Sequence, residues 1–206
     1  MALLSKSAAG LGVHPMFVDG VEDLELDVLD QSLAVHLDDL RLVAVGEIGL
    51  DFYIENHDKV RQEKFFIEQM RLAEKYSLPV SVHARLALFR VMAIIKQFPQ
   101  VKGVIHAFPG SKEEARQVVD LGWKIGVGGA VTYPGSKRLR DVVRFVPIEA
   151  LVLETDCPDM APADRTDRRS YPADIAHYAA IVAQLRGETT DAVIEALFAN
   201  ALAAFP

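Results

Sequence analysis

Five continuous apolar runs, each closing on polar residues or glycine, punctuate this chain: RLVAVGEIGLD (41–51), PVSVHAR (79–85), KGVIHAF (102–108), KIGVGGAV (124–131) and LVLETD (151–156). Their apolar residues are contiguous rather than alternating. That is the pattern of strands buried on both faces, and such strands belong to parallel sheets. Segments with a helical period lie between them. In 59–76, Phe66, Met70 and Ala73 fall on one stripe beside Phe65, Leu72 and Tyr76, the face of a helix that covers a sheet. Ser111 followed by Glu114 predicts a capping box, and Gly122 a helix stop before the next strand. Residues 23–38, 86–98, 136–145, 173–185 and 190–204 complete the helices, and the polar stretch 163–171 reads as one long loop. The strand–helix alternation, with right-handed crossovers, predicts a parallel α/β sheet, open or closed.

A length of 206 residues with 50% hydrophobic content predicts a single domain over 1–206 with a large core. The net charge of −7 argues against gripping polyanions by bulk attraction, so a nucleic-acid substrate requires a bound metal or a local arginine cluster. Cys157 is the sole cysteine; no intrachain disulfide can form, and a cytoplasmic location is expected. No apolar run reaches membrane-spanning length without a charge, so no membrane association is expected.

In parallel α/β folds the chemistry sits at the C-terminal ends of the strands. Here those ends carry Glu47 and Asp51, His83 and Arg85, His106, Gly128 and Gly129, and Glu154 and Asp156. Taken singly, each has an ordinary explanation: a helix cap, a turn, a solvated charge. Taken together, Glu47, His83, His106 and Asp156 occupy costly positions for polar groups unless something pairs with them, and their strand ends are expected to converge. Two imidazoles with two carboxylates suit Zn, Mn or Mg. Asp156 is placed to orient a metal-bound water or take its proton. Arg85, two residues beyond His83, is placed to contact an anionic group, or else is an arginine at a sheet edge. Cys157, which leads into a loop bounded by Pro158 and Pro162, reads as structural filler.

The segments GEIGLD (46–51), PVSVHAR (79–85), IHAFPGS (105–111) and VPIEALVLETDCP (146–158) resemble, in order and approximate spacing, the motifs of the TatD family of metal-dependent deoxyribonucleases and hydrolases. The resemblance runs from about residue 10 to the C-terminus. It implies a TIM-barrel-like fold with one or two divalent ions at its mouth and phosphodiester cleavage as the activity. It also implies that Glu47 is the bridging ligand, His83 and His106 the histidines of one metal, and Asp156 a ligand of the other metal and the residue that activates water.

Two features depart from the family pattern. The family's first strand ends in a His-x-His pair, which is absent here. The first two βα units are therefore expected to be missing, leaving an incomplete barrel of about six parallel strands whose open edge a second copy could cover. His14 is the nearby imidazole available to replace a lost ligand, yet beside Pro15 it reads as a loop residue instead. In addition, Phe89 stands where the family often has an acid. The leading expectation is a phosphodiesterase acting on DNA. The rivals are an amidohydrolase or lactonase, since fold does not settle function, and a catalytically impaired remnant. Of the aromatics that could stack on bases, Tyr133 and Tyr171 are candidates, while Trp123 is expected in the core. Arg165, Arg168 and Arg169, interleaved with Asp164 and Asp167, read as a solvated loop.

Overall fold

The structure, a computed structural model, describes residues 7–206. Among the described residues the chain forms six strands and seven α-helices, an α/β architecture of parallel strands in chain order. They fall into two compact units, Met1–Gly103 with Phe205–Pro206, and Val104–Ala204.

The first unit contains β1 (Ala9–Leu11), α1 (Leu24–His36), β2 (Leu42–Asp51), α2 (Lys59–Tyr76), β3 (Val80–Arg85) and α3 (Leu88–Ile95). β2 is its central strand, paired in parallel with β1 on one side and β3 on the other. Helix α2 matches the expected stripe: Phe65, Phe66, Met70 and Ala73 are fully buried. It starts where the Asp58 side chain accepts from the Arg61 amide at 3.0 Å, a side-chain cap that satisfies one of the free first-turn donors. It stops at Ser77, whose φ of 55° turns the chain out of the helix.

The second unit contains the end of β4 (Gly103–Ile105), α4 (Lys112–Asp120), β5 (Lys124–Val127), α5 (Lys137–Phe145), β6 (Leu151–Leu153), α6 (Ile175–Arg186) and α7 (Thr190–Ala204). β5 pairs with β4 and β6, with Ile125 opposite both Ile105 and Leu151. The capping box forms in full: Ser111 Oγ accepts from the Glu114 amide at 3.2 Å and Glu114 Oε2 from the Ser111 amide at 2.8 Å. Asn200 ties α7 to β6 by donating to the carbonyls of Ile148 and Leu151 at 2.6 and 2.8 Å. Trp123 packs in the core as expected.

Three strands are shorter than the apolar runs suggested. Those runs included their own exits: His106, the segment 128–131 and Glu154–Asp156 leave the ladder, and Gly129–Thr132 winds into a 3-10 turn. No helix among the described residues is long and apolar enough to cross a membrane.

Candidate metal centre

The C-terminal half of β2 builds the first cluster. Its register with β3 shifts between Val45 and Ile48, a bulge of the kind that re-aims side chains beside functional sites. Beyond the bulge, residues two apart share a face, which puts Gly49 and Asp51 on one side, and Glu47, within the bulge, reaches the same His83 ring. Gly49 is required there: its φ is 132°, and a Cβ would stand 2.1 Å from the carbonyl oxygen of His83. With that approach allowed, the two carboxylates bracket the His83 ring. Nδ1 lies 3.0 Å from Glu47 Oε1 and Nε2 lies 3.0 Å from Asp51 Oδ2.

His14 completes this cluster, which corrects its reading as a loop residue apart from the site. Its Nε2 lies 3.5 Å from Glu47 Oε1, and its ring meets His83 edge-on at 4.7 Å between centroids. Pro15 does not remove it from the site; Pro15–Gly20 is a 3-10 turn, and His14 is its N-cap. The cap bond runs from the Met16 amide to His14 Nδ1 at 3.2 Å. An acceptor at Nδ1 places the proton of the neutral ring on Nε2, so ligation through Nε2 requires that cap bond to be released. His14, Glu47 and His83 each offer one ligand atom, all within 4.8 Å of one another. Two imidazoles and a carboxylate are a donor set for a borderline divalent ion, and the geometry fits one.

The second unit repeats the construction at the ends of β4 and β6. His106 Nδ1 lies 2.8 Å from Glu154 Oε2, and Nε2 lies 3.5 Å from Asp156 Oδ1. Glu154 Oε1 also accepts from the Ala107 amide at 2.6 Å. Gly126 makes room for this carboxylate, since a Cβ there would fall 2.6 Å from Glu154 Oε2. Backbone strain marks these strand exits. Leu86, Ala107 and Asp156 have φ of 51°, 42° and 55°, left-handed conformations that non-glycine residues hold mainly at turns and functional sites.

The sequence-predicted ligands therefore form two pairs: Glu47 with His83 in the first unit, His106 with Asp156 in the second. Three further groups belong beside them: His14, Asp51 and Glu154. The spacing of Glu47 with Asp51 and of Glu154 with Asp156 was the available signal, because each pair of acids closes an apolar run. Arg85, opposite Asp51 in the ladder, lays its guanidinium over the Tyr53 ring at 3.7 Å, with Tyr53 58% exposed. Phe89 is exposed on α3. Cys157 is exposed rather than filling space.

The loop at 163–171 is tied down more than its composition suggested. Arg165 pairs with the buried Asp174, and the Ser170 hydroxyl donates to the Thr155 carbonyl at 2.9 Å. The Arg169 amide, and then the Tyr171 hydroxyl, hold the Asp167 carboxyl below its usual range.

The TatD related DNase family model matches residues 2–206. The metal-dependent hydrolase YjjV of Escherichia coli K12 is 37% identical over 198 residues, spanning 96% of this chain and 76% of that protein. The 3'-5' ssDNA/RNA exonuclease TatD of Citrobacter koseri is 38% identical over 171 residues, spanning 76% of this chain and 66% of that protein. Among solved structures, the crystal structure of YjjV superposes with a TM-score of 0.92 at 36% identity, covering 99% of this chain and 80% of that one. A TatD family hydrolase from Entamoeba histolytica superposes with a TM-score of 0.81 at 27% identity, covering 96% and 74%.

Proposed function

The chain belongs to the TatD related DNase family of metal-dependent hydrolases, and from that premise we propose that it hydrolyses phosphodiester bonds of single-stranded DNA with a divalent cation held by Glu47 and His83, with His14 as a third donor. The observation that supports this reading is the convergence of those three side chains, each with a ligand atom within 4.8 Å of the others. When bound, such an ion supplies Lewis-acid polarisation of a phosphoryl oxygen and lowers the pKa of a bound water.

The protein's own groups do the rest. Glu47 offers a carboxylate oxygen between two imidazoles, so the negative charge needed to hold a cation is fixed before the ion arrives. The bulge and the close approach at Gly49 hold β2 against β3 and keep that spacing rigid. Within the second unit, the Asp156 carboxylate is 37% exposed, reachable by water, and lies 3.5 Å from His106 Nε2, an arrangement suited to taking up a proton and passing it to the imidazole. The Glu154 carboxylate on Nδ1 orients that ring. Arg85, with its guanidinium carbon 3.7 Å from the Tyr53 ring centroid, offers a planar fork that can bind a phosphate through two parallel hydrogen bonds. The exposed Tyr53 ring offers a face for a base.

The test is hydrolysis of an end-labelled single-stranded oligonucleotide with Mn, Mg or Zn and with chelator, alongside small amides and lactones. Metal-dependent shortening that His83→Ala and Asp156→Asn each abolish is expected. Turnover of an amide or lactone with the oligonucleotide left intact would overturn the substrate assignment.

A further inference from the structure

We propose that Asp51 is a positioning residue that fixes the tautomer and orientation of His83; this rests on the reading of His83 as a cation ligand. Asp51 is the last residue of β2 and is fully buried. A buried carboxylate is costly unless it is paired and hydrogen-bonded, and both carboxylate oxygens and the amide of this residue are occupied. Oδ2 meets His83 Nε2 at 3.0 Å, Oδ1 accepts from the Tyr53 amide at 2.9 Å, and the Asp51 amide donates to Gln62 Oε1 at 2.9 Å. Gln62 is itself fully buried on α2, so the covering helix holds the residue at its amide and the following loop holds its carboxylate.

An ionised carboxylate only accepts. Each His83 nitrogen faces a carboxylate at 3.0 Å, Nδ1 at Glu47 Oε1 and Nε2 at Asp51 Oδ2, so a cation makes the choice between them: ligation through Nδ1, beside Glu47, needs the lone pair there. The proton of the ring is then on Nε2, where the buried Asp51 accepts it. Asp51 thus holds the tautomer that binds a cation and stops the ring from flipping, because a flip would break a buried charge-assisted bond. The second unit carries the same construction with the nitrogens exchanged: Glu154 holds His106 at Nδ1, with Nε2 turned toward Asp156. The recurrence argues for a design feature rather than an incidental contact. Carboxylates placed behind ligating histidines raise metal affinity by about 10–100-fold.

Two measurements test it. In the wild-type protein loaded with Zn, a nitrogen–proton correlation spectrum of the imidazoles should show His83 with its proton on Nε2; a proton on Nδ1 would overturn the proposal without any variant being made. Calorimetric titration with Mn or Zn should then show Asp51→Asn binding 10–100-fold more weakly than wild type, with the Nε2 proton signal of His83 lost or split between tautomers. Equal affinity with an unchanged spectrum would overturn the role of Asp51 alone. Failure of the wild type to bind either metal would overturn the reading beneath it, so the two failures are distinguishable.

Discussion

Replacing Gly49 by alanine is the perturbation whose cost the geometry states most fully. The residue sits at φ 132°, a region that costs a side-chain-bearing residue about 1–3 kcal/mol. The added methyl group would also stand 2.1 Å from the His83 carbonyl oxygen, a backbone atom that cannot swing aside as a side-chain end could. Relief requires β2 and β3 to separate locally. The neighbouring bond between them, from the Phe52 amide to the Arg85 carbonyl at 2.9 Å, is the one at risk, at about 0.5–1.5 kcal/mol. The sum is about 2–4 kcal/mol, a large share of the roughly 5–15 kcal/mol that keeps a domain folded. In urea, with a slope of about 2 kcal/mol/M, the unfolding midpoint should fall by about 1–2 M. Because the atom displaced belongs to His83, cation binding should weaken in conditions where the variant is still folded. Gly20→Ala is the control: nothing lies within 4 Å of its added Cβ, and its stability should stay within about 0.5 kcal/mol of wild type. A Gly49→Ala midpoint indistinguishable from the control would refute the claim that β2 and β3 are held this close, and with it the account of how Glu47 and Asp51 bracket His83.

Two other perturbations read different parts of the molecule. The Tyr178 hydroxyl is buried without a hydrogen-bond partner among the described residues, and burial first, then the nearby Asp174, pushes it up to about 12; Tyr178→Phe should be neutral or stabilising by up to about 2 kcal/mol in thermal or urea unfolding, and a loss above about 1 kcal/mol would reveal a bond to this hydroxyl. Asp30 on α1 is bound by Lys75 Nζ at 2.7 Å and by the Tyr76 hydroxyl at 2.6 Å, both from α2, and these contacts, Lys75 foremost, hold its carboxyl below the usual range. A lowered folded value means that the stabilisation is fully present above the unfolded value of about 4 and disappears as pH falls through the folded one. Asp30→Asn should therefore cost less than about 1 kcal/mol at pH 7, since the pair is half exposed, with the gap to wild type closing in acid; a gap that widens in acid would contradict it.

The strand–helix order, the helices and the placing of acids and histidines at strand ends were legible in the sequence because each rests on a local pattern. The stripe along α2 is set by a period of 3.6, the Ser111–Glu114 box by a three-residue spacing, and the strand-end acids and histidines by continuous apolar runs that stop on charge. What escaped depends on geometry that no local pattern encodes. The strand ends came out too long because an apolar run does not show where the backbone turns left-handed, as it does at Ala107 and Asp156. His14 was set aside because a proline beside it suggested a loop; in the structure that proline opens a turn whose cap is His14, which brings the imidazole to Glu47. Asp51 and Glu154 were visible as strand-end acids, but their work lies in hydrogen bonds to His83 and His106, across strand pairings that only the register reveals. Cys157 was read as packing from its prolines, whereas the loop leaves it in solvent.

The central claim is that the side chains of Glu47 and His83, with His14 beside them, hold a divalent cation. Anomalous diffraction from crystals grown with Mn, recorded on wild type and on Glu47→Gln, tests it most directly. The account predicts a metal peak within coordinating distance of the Glu47 carboxylate and His83 Nδ1 in the wild type, and its loss or marked weakening in the variant. A wild-type peak that touches neither residue, or one that persists at full strength in the variant, would contradict it.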